Sequence, residues 1–158
     1  MIQDELQKFK DWWLKARPFT IPSVTSVIND GNIHGVVLYR AECWQVQLFI
    51  LEPFTIIPEH LHPNVDSYEV FLSGDIEFTL NGVVKTPRSL ETSFTGSSIY
   101  NNWDIRVLPN AWHSASSSYE GGSFLSIQQW LNGTVPSNVG SDWIHKVNET
   151  RRNYSADS

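Results

Sequence analysis

Regularly spaced, strand-like segments constrain this fold more than any other feature of the sequence. Four segments are rich in β-branched and aromatic residues, and parts of each alternate apolar with polar positions: residues 34–54, 67–86, 98–117 and 122–132. LNGV at 80–83 carries a strong signal for a two-residue hairpin. Because several short strands separated by turns build sandwiches and barrels, this pattern predicts an all-β fold whose core spans residues 34–132.

A single helical pattern precedes the strands. Ile2, Leu6, Phe9 and Trp13 recur every three to four residues with charged residues between them. This spacing predicts an amphipathic helix over residues 1–17. Such a helix either packs on the strands or forms a dimer contact, and the sequence does not separate the two roles.

The strand pattern ends before the last part of the chain, residues 133–158. Within this tail, SDWIHKV at 141–147 predicts a short capped helix. No internal repeat or change of composition marks a domain boundary. The 158 residues therefore predict one domain, made of the helix, the β core and the tail.

Composition argues against several classes of function. The formal net charge is −6 and basic residues are scattered, so nucleic acid is not an expected partner. The single cysteine, Cys43, excludes internal disulfides and a cysteine-rich zinc site. The charged N-terminus does not resemble a signal peptide, and no apolar run approaches the ~18 residues that span a bilayer. We expect a cytoplasmic protein without a membrane partner.

Two histidines stand one residue apart in the sequence EHLHP. In a strand, residues i and i+2 face the same side, so His60 and His62 could share a metal ion. Alone, the pair is more typical of histidines at a strand edge or of hydrogen-bonded histidines than of a metal site. A third histidine, His113, follows a Pro-Asn turn in the distant segment LPNAWHS at 108–114.

These histidines and turns resemble the two motifs of the cupin superfamily. Its first motif is Gly, five residues, His-x-His, three or four residues, Glu, six residues, Gly. Here His60 and His62 match the histidines, Gly74 the last glycine, and Phe54 stands at the first glycine. The family's second motif contains Pro-x-Gly-x-x-His, which LPNAWH at 108–113 resembles.

In that second motif Asn110 stands at the glycine and His113 at the ligand. After glycine, asparagine best tolerates a left-handed turn conformation. The resemblance covers residues 37–131. It implies an RmlC-like double-stranded β-helix, or jelly-roll barrel, with a metal-binding interior, a small-molecule ligand and a homodimeric assembly.

The acidic ligand of the family motif is the main departure. Counting back from Gly74 places the family's Glu at Ser67, which is not an acid. Three ligand sets are consistent with the sequence: the three histidines alone, the histidines with Glu69, and the histidines with Asp66 displaced by a local bulge. Glu69 is favoured over Asp66, since it shares the strand face of Ser67.

The resemblance implies one divalent transition-metal ion. Imidazole nitrogen suits Fe, Zn, Ni and Cu, and a carboxylate shifts the preference toward Mn; Fe is favoured. A redox-active ion with open positions suits a dioxygenase, whereas a redox-inert ion suits an isomerase or lyase. The alternative is a non-catalytic cupin that binds a small ligand or sugar, or that serves as a structural dimer.

Strand residues with large or polar side chains are candidates for the substrate pocket. The main candidates are Tyr39, Arg40, Trp44, Arg106 and Gln128, with Val46, Phe71, Trp103, Trp112 and Trp130 as further ones. An arginine in an apolar strand needs a partner or a ligand, so Arg40 or Arg106 could bind a substrate carboxylate. A surface strand position is the favoured interpretation for both, and there Arg40 has Glu42 on its own face.

Overall fold

The computed structural model describes residues 5–16, 27–30, 32–87, 104–136 and 144–145. Within these ranges a single helix precedes nine strands, which confirms the predicted all-β class with an N-terminal helix. The elements are α1 (Glu5–Ala16), β1 (Val27–Asp30), β2 (Ile33–Ala41), β3 (Trp44–Leu51), β4 (Ile56–Leu61), β5 (Val65–Leu80), β6 (Val83–Lys85), β7 (Asp104–Val107), β8 (His113–Trp130) and β9 (Ile144–His145). In the described part of the chain, no helix has the length and apolar character needed to cross a bilayer.

Two long antiparallel strands, β5 and β8, run through both sides of the barrel. The C-terminal half of β8 pairs with β3, and its N-terminal half pairs with β4. The first wall consists of β1, β2, β3, β7, the start of β5 and the end of β8. The second wall consists of β4, β6, β9, the end of β5 and the start of β8. This is a double-stranded β-helix, as the resemblance to the cupin motifs implies.

Glycines allow the long strands to bend between the walls. Gly74 has a φ of +82°, and a Cβ on it would lie 2.1 Å from the carbonyl oxygen of Gly121. Gly121 has a φ of +67°, and its Cβ would lie 2.4 Å from Leu51 O. Only glycine fits such backbone-to-backbone contacts, so the two bends are specified by residue type.

The predicted hairpin at LNGV joins β5 to β6. Asn81 and Gly82 both adopt positive φ, of 50° and 80°, which is the backbone conformation of a tight hairpin turn. Leu80 and Val83 pair across it. The sequence prediction of this turn is confirmed.

The helix α1 covers the outer face of the first wall. Leu6 and Trp13 are buried there in one cluster with Val46, Val70 and Ile127. Phe9 stacks on Trp44, with ring centroids 4.4 Å apart and an interplanar angle of 5°. The helix therefore packs on the strands of its own chain, which is one of the two roles expected for it.

The tail corrects one prediction. Where a helix over 141–147 was expected, Ile144 and His145 form β9 and pair with Leu61 and His60 of β4. A helix of two turns is marginal alone, whereas the edge of β4 offers backbone hydrogen bonds. The rest of that predicted helix and residues 98–103 of the third predicted strand segment lie outside the described residues.

Candidate functional site

Three histidines meet between the two walls. His60 is near the end of β4, His62 follows that strand, and His113 begins β8 as the cross-strand partner of His60. Their ring centroids are 4.2 Å (His60–His113), 5.0 Å (His60–His62) and 5.2 Å (His62–His113) apart. One ligand atom of each lies within 4.8 Å of the others, so their spacing is suited to one metal ion.

Backbone carbonyls fix the tautomers of the two buried histidines. Nδ1 of His60 lies 2.8 Å from the oxygen of Pro58, and Nδ1 of His113 lies 2.8 Å from the oxygen of Ala111. A carbonyl oxygen only accepts hydrogen bonds, so each Nδ1 carries the hydrogen and each Nε2 carries the lone pair. Burial also lowers the pKa of His113 below its ordinary value, which favours the neutral ring. These are properties of metal-binding histidines.

The second-motif turn adopts the expected conformation. Asn110 has a φ of +67°, and its backbone N–H donates to the carbonyl oxygen of His62 at 2.9 Å. This bond ties the loop before His113 to the end of the His60–His62 pair. Phe54, at the first glycine position of the family motif, also has positive φ, at +56°.

A buried carboxylate lies across the cavity from the histidines. Glu69 belongs to β5 in the first wall and is 6% exposed. Its Oε2 accepts hydrogen bonds from Ser67 Oγ at 2.8 Å and Ser126 Oγ at 3.1 Å. Burial raises the pKa of Glu69 to about 7, although both hydroxyl donors oppose that shift.

The cavity between the walls is small. Its volume is ≈ 30 Å³, which accommodates a metal ion or about two water molecules. Polar groups line two sides, and aromatic and aliphatic side chains close the rest: Ile33, Phe49, Ile57, Phe78 and Phe124. A larger ligand requires these side chains to move.

Comparisons with known proteins identify the fold. No family model matches the sequence, and no curated protein matches it. An RmlC-like cupin from Shewanella frigidimarina has a TM-score of 0.56 at 14% identity, over 72% of this chain and 91% of that one. Streptomyces PAC13, solved with uridine, has a TM-score of 0.56 at 16% identity, over 82% of this chain and 90% of that one. KdgF from Halomonas sp. has 0.54 at 10% identity, over 66% and 86%.

The chain has the cupin fold. In this chain, Ser67 occupies the motif's Glu position and faces the cavity, where its hydroxyl donates to Glu69. Glu69 shares that face, as strand alternation predicts, but its carboxylate is not part of the close histidine group. Asp66 faces the other way and accepts a hydrogen bond from Arg106 Nε at 2.6 Å. Glu69, and not Asp66, therefore lines the cavity that the histidines also line.

Of the five main pocket candidates, Gln128 lines the cavity. Tyr39 and Trp44 lie on the outer face of the first wall, where both pack against Phe9 of α1. Arg106 also points outward, to Asp66 and across the ring of Tyr68. The structure does not bring these three residues to the histidines, because all three side chains lie on the outer face of the wall. For Tyr39 and Trp44, this is the apolar face that α1 covers.

Arg40 takes a position that the sequence did not predict. A register shift between Val37 and Tyr39 places Arg40 opposite Gln45, and Arg40 Nε donates to Gln45 Oε1 at 2.7 Å. Arg40 thus points toward the barrel interior without lining the cavity, and its partner is Gln45 instead of Glu42. Trp103 lies outside the described residues.

Sequence reasoning missed three polar residues of the interior, Gln45, Gln47 and Ser126. They are 0%, 0% and 3% exposed. The sequence does contain a signal for them. Gln45 and Gln47 are two residues apart in β3, and Ser126 and Gln128 are two residues apart in β8. Polar residues at period two along two neighbouring strands mark a shared polar face.

Proposed function

We propose that His60, His62 and His113 bind one divalent transition-metal ion, and that the chain is a small metal-dependent enzyme. Its ligand is a small organic molecule in the barrel cavity. The observation that carries this proposal is the pair of Nδ1–H bonds to backbone carbonyls, which leaves the lone pairs of His60 and His113 on Nε2. The structural likeness to PAC13, which was solved with uridine, supports a small-molecule ligand.

Glu69 is the proposed proton-transfer group. It lines the same cavity as the histidines, and its pKa of about 7 suits a group that accepts and returns a proton at neutral pH. The bound ion would supply Lewis acidity or, as iron, redox chemistry with dioxygen. The favoured ligand therefore presents an O–H, N–H or acidic C–H group to Glu69.

The apolar part of the cavity supports the same chemistry. Phe49, Phe78 and Phe124 line it and limit access of water. In such surroundings the interactions of Glu69 with a ligand are stronger than in water. Dioxygenase chemistry with Fe is the favoured form, and isomerase or lyase chemistry with Zn, Ni, Mn or Cu is the other. Glu69 as a fourth ligand would require it to leave Ser67 and Ser126.

Metal content tests the proposal directly. Protein purified without chelator should contain about one transition-metal ion per chain by elemental mass spectrometry. His60→Ala and His113→Ala should each lower metal affinity by more than ~100-fold. Loss of a residue that only orients a metal ligand lowers affinity by up to ~100-fold, and loss of the ligand itself should lower it further. His34→Ala is the matched control, since His34 is bonded to Glu52 elsewhere. Absence of stoichiometric metal, or its retention in both ligand variants, contradicts the proposal.

The hydrogen bonds that hold Glu69 to Ser67 and Ser126, outside the close histidine group, favour a second candidate, a metal-loaded cupin that binds a small ligand or sugar without turnover. Glu69→Gln separates the two functions. In an enzyme it should abolish turnover of a substrate, followed as oxygen uptake or product formation, while metal content is kept. In a binding protein, metal and ligand affinity would change little and no turnover would be found in the unmutated chain.

A homodimer is part of the proposal. The apolar face of α1 is already used, since Leu6 and Trp13 are buried against the first wall. A dimer contact would therefore use an edge strand such as β1. Sedimentation equilibrium should give twice the chain mass; a monomer at all concentrations would reject this part.

A further inference from the structure

A chain of hydrogen bonds crosses the inner face of the first wall and ends on Glu69. Arg40 Nε donates to Gln45 Oε1 at 2.7 Å, and Gln45 Nε2 donates to Gln128 Oε1 at 2.8 Å. Gln128 Nε2 donates to Ser126 Oγ at 2.9 Å, and Ser126 Oγ donates to Glu69 Oε2 at 3.1 Å. Four bonds thus connect a cation that does not line the cavity to a carboxylate that does.

Arg40 determines the direction of every bond in this chain. A guanidinium has donors only, so Gln45 must present its carbonyl oxygen to Arg40 and its NH₂ group to Gln128. Gln128 must then accept through its oxygen and donate to Ser126. The hydroxyl hydrogen of Ser126 is left for Glu69. The carboxylate is the natural end of the chain, because it accepts without donating.

Strand register aligns the members of the chain. Arg40, Gln45 and Gln128 are successive cross-strand partners on β2, β3 and β8. In the next row, Ser126 of β8 is the partner of Glu69 of β5. Gln45, Ser126 and Gln128 are all buried. Hydrogen bonds that are aligned head to tail away from water polarise one another, so the effect of the cation extends along them.

We propose that Arg40 is a positioning residue for Glu69. Through Gln45, Gln128 and Ser126 it directs a hydroxyl hydrogen onto Glu69 Oε2, which already accepts one from Ser67. Oε2 is thereby held to the wall, and Oε1 is the oxygen left for a ligand. The value of this arrangement for catalysis rests on the proposed function, but the coupling of Arg40 to Glu69 does not.

Replacement of Arg40 should release this orientation. In Arg40→Met the amides of Gln45 and Gln128 lose their fixed donor and can turn over, so that Ser126 no longer needs to donate to Glu69. Arg40→Lys should restore the direction, because an ammonium group also has donors only. Arg106→Met is the matched control, since Arg106 is an arginine of the same wall that binds Asp66 on the outer face.

Side-chain amide signals test the chain in chelator-treated protein by ¹H–¹⁵N NMR. Glu69→Gln and Arg40→Met should each shift the NH₂ signals of both Gln45 and Gln128, although neither altered residue is hydrogen-bonded to both glutamines. Arg40→Lys should return these signals toward their original positions. Arg106→Met should leave both unchanged. Signals of Gln45 that do not respond to Glu69→Gln would overturn the proposal.

A double-mutant cycle measures the coupling itself. In the double variant Arg40→Met/Glu69→Gln, the unfolding equilibrium constant should differ by at least ~3-fold from the value expected if the effects of the two single substitutions were multiplied. The cycle of Arg106→Met with Glu69→Gln should be multiplicative within ~2-fold. Multiplicative behaviour of both pairs would overturn the proposal. Because no metal is needed, a metal-free native protein would reject the proposed function and leave these results intact.

Discussion

In the first half of β3, the two faces of the strand reverse the common barrel arrangement. Gln45 and Gln47 face the barrel interior and are both 0% exposed, whereas Trp44 and Val46 face outward. The helix α1 covers the part of the outer face that holds Val46, whereas Ile50 on the same face is 45% exposed. In the first half of this strand, the apolar positions therefore mark the face under the helix, and the polar positions mark the face that leads to the candidate site.

A charge on the helix-covered face should have the largest effect. Val46 is 0% exposed, so Val46→Glu would bury a carboxylate in an apolar cluster. The substitution should cost ~3–5 kcal/mol or prevent folding. Ile50→Glu is the matched control on the same strand face, since Ile50 is 45% exposed and should change stability by less than ~0.5 kcal/mol. Equal losses in urea unfolding would show that α1 does not cover Val46.

Protonation of Glu69 on the inner face should have the next largest effect. Its pKa rises on folding from 4.5 to about 7, so the folded chain holds this proton more tightly. The resulting stability is fully present below pH 4.5 and is lost as the pH rises through 7. Relative to Glu69→Gln, the metal-free unmutated protein should lose on the order of 3 kcal/mol across this window.

Urea unfolding at a series of pH values measures that difference. The contribution of His113 is common to both proteins and cancels. Glu77→Gln serves as control because Glu77 is an exposed residue of the same strand. A stability difference between the unmutated protein and Glu69→Gln that does not vary with pH would mean that Glu69 is not shielded from water.

The two glutamines of the inner face should respond with opposite signs. Gln45→Leu removes two bonds and leaves groups of Arg40 and Gln128 unpaired, which should cost ~2 kcal/mol. The side-chain amide of Gln47 has no hydrogen-bond partner among the described residues, so Gln47→Leu should stabilise the protein by ~1 kcal/mol. Thermal unfolding of both variants checks the signs. A loss of stability in Gln47→Leu would indicate that water or a ligand pairs with that amide.

The smallest effect is expected where the helix meets the rim of the wall. Lys10 pairs with Asp104 and lies 4.1 Å from the ring centroid of Tyr68. Lys10→Met should cost ~0.5–1 kcal/mol, because Met keeps the packing of the buried Lys10 stem and Asp104 stays in partial contact with water. The difference from the unmutated protein should shrink at high salt. Lys8→Met, on the exposed side of α1, should be neutral. A salt-independent loss would assign the effect to packing.

Much of the fold and the three histidines could be predicted because their signals are local. The hairpin at Asn81, the left-handed Asn110 and the His60–His62 pair each follow from residue type and spacing. Face assignment was less successful. Alternation shows that Trp44 and Val46 share a face, but only the position of α1 shows that this face points away from the cavity.

Arg40 illustrates the other limit. Strand periodicity places it on the face opposite Tyr39, and the register shift beside Leu38 then decides which of the two faces is internal. No residue at this shift is a glycine or proline that would signal it. The helix prediction for residues 141–147 was wrong for a related reason, since the pairing of β9 depends on the distant strand β4.

The bends at Gly74 and Gly121 have a consequence for redesign. Both cavity walls are built on the same two strands, β5 and β8, so the distance between the histidines and Glu69 is set where these strands turn. There the chain touches itself backbone to backbone. These glycines act as a spacer of fixed width, so a variant with a roomier cavity will be obtained more readily by trimming Phe49 or Phe124 than by altering the bends.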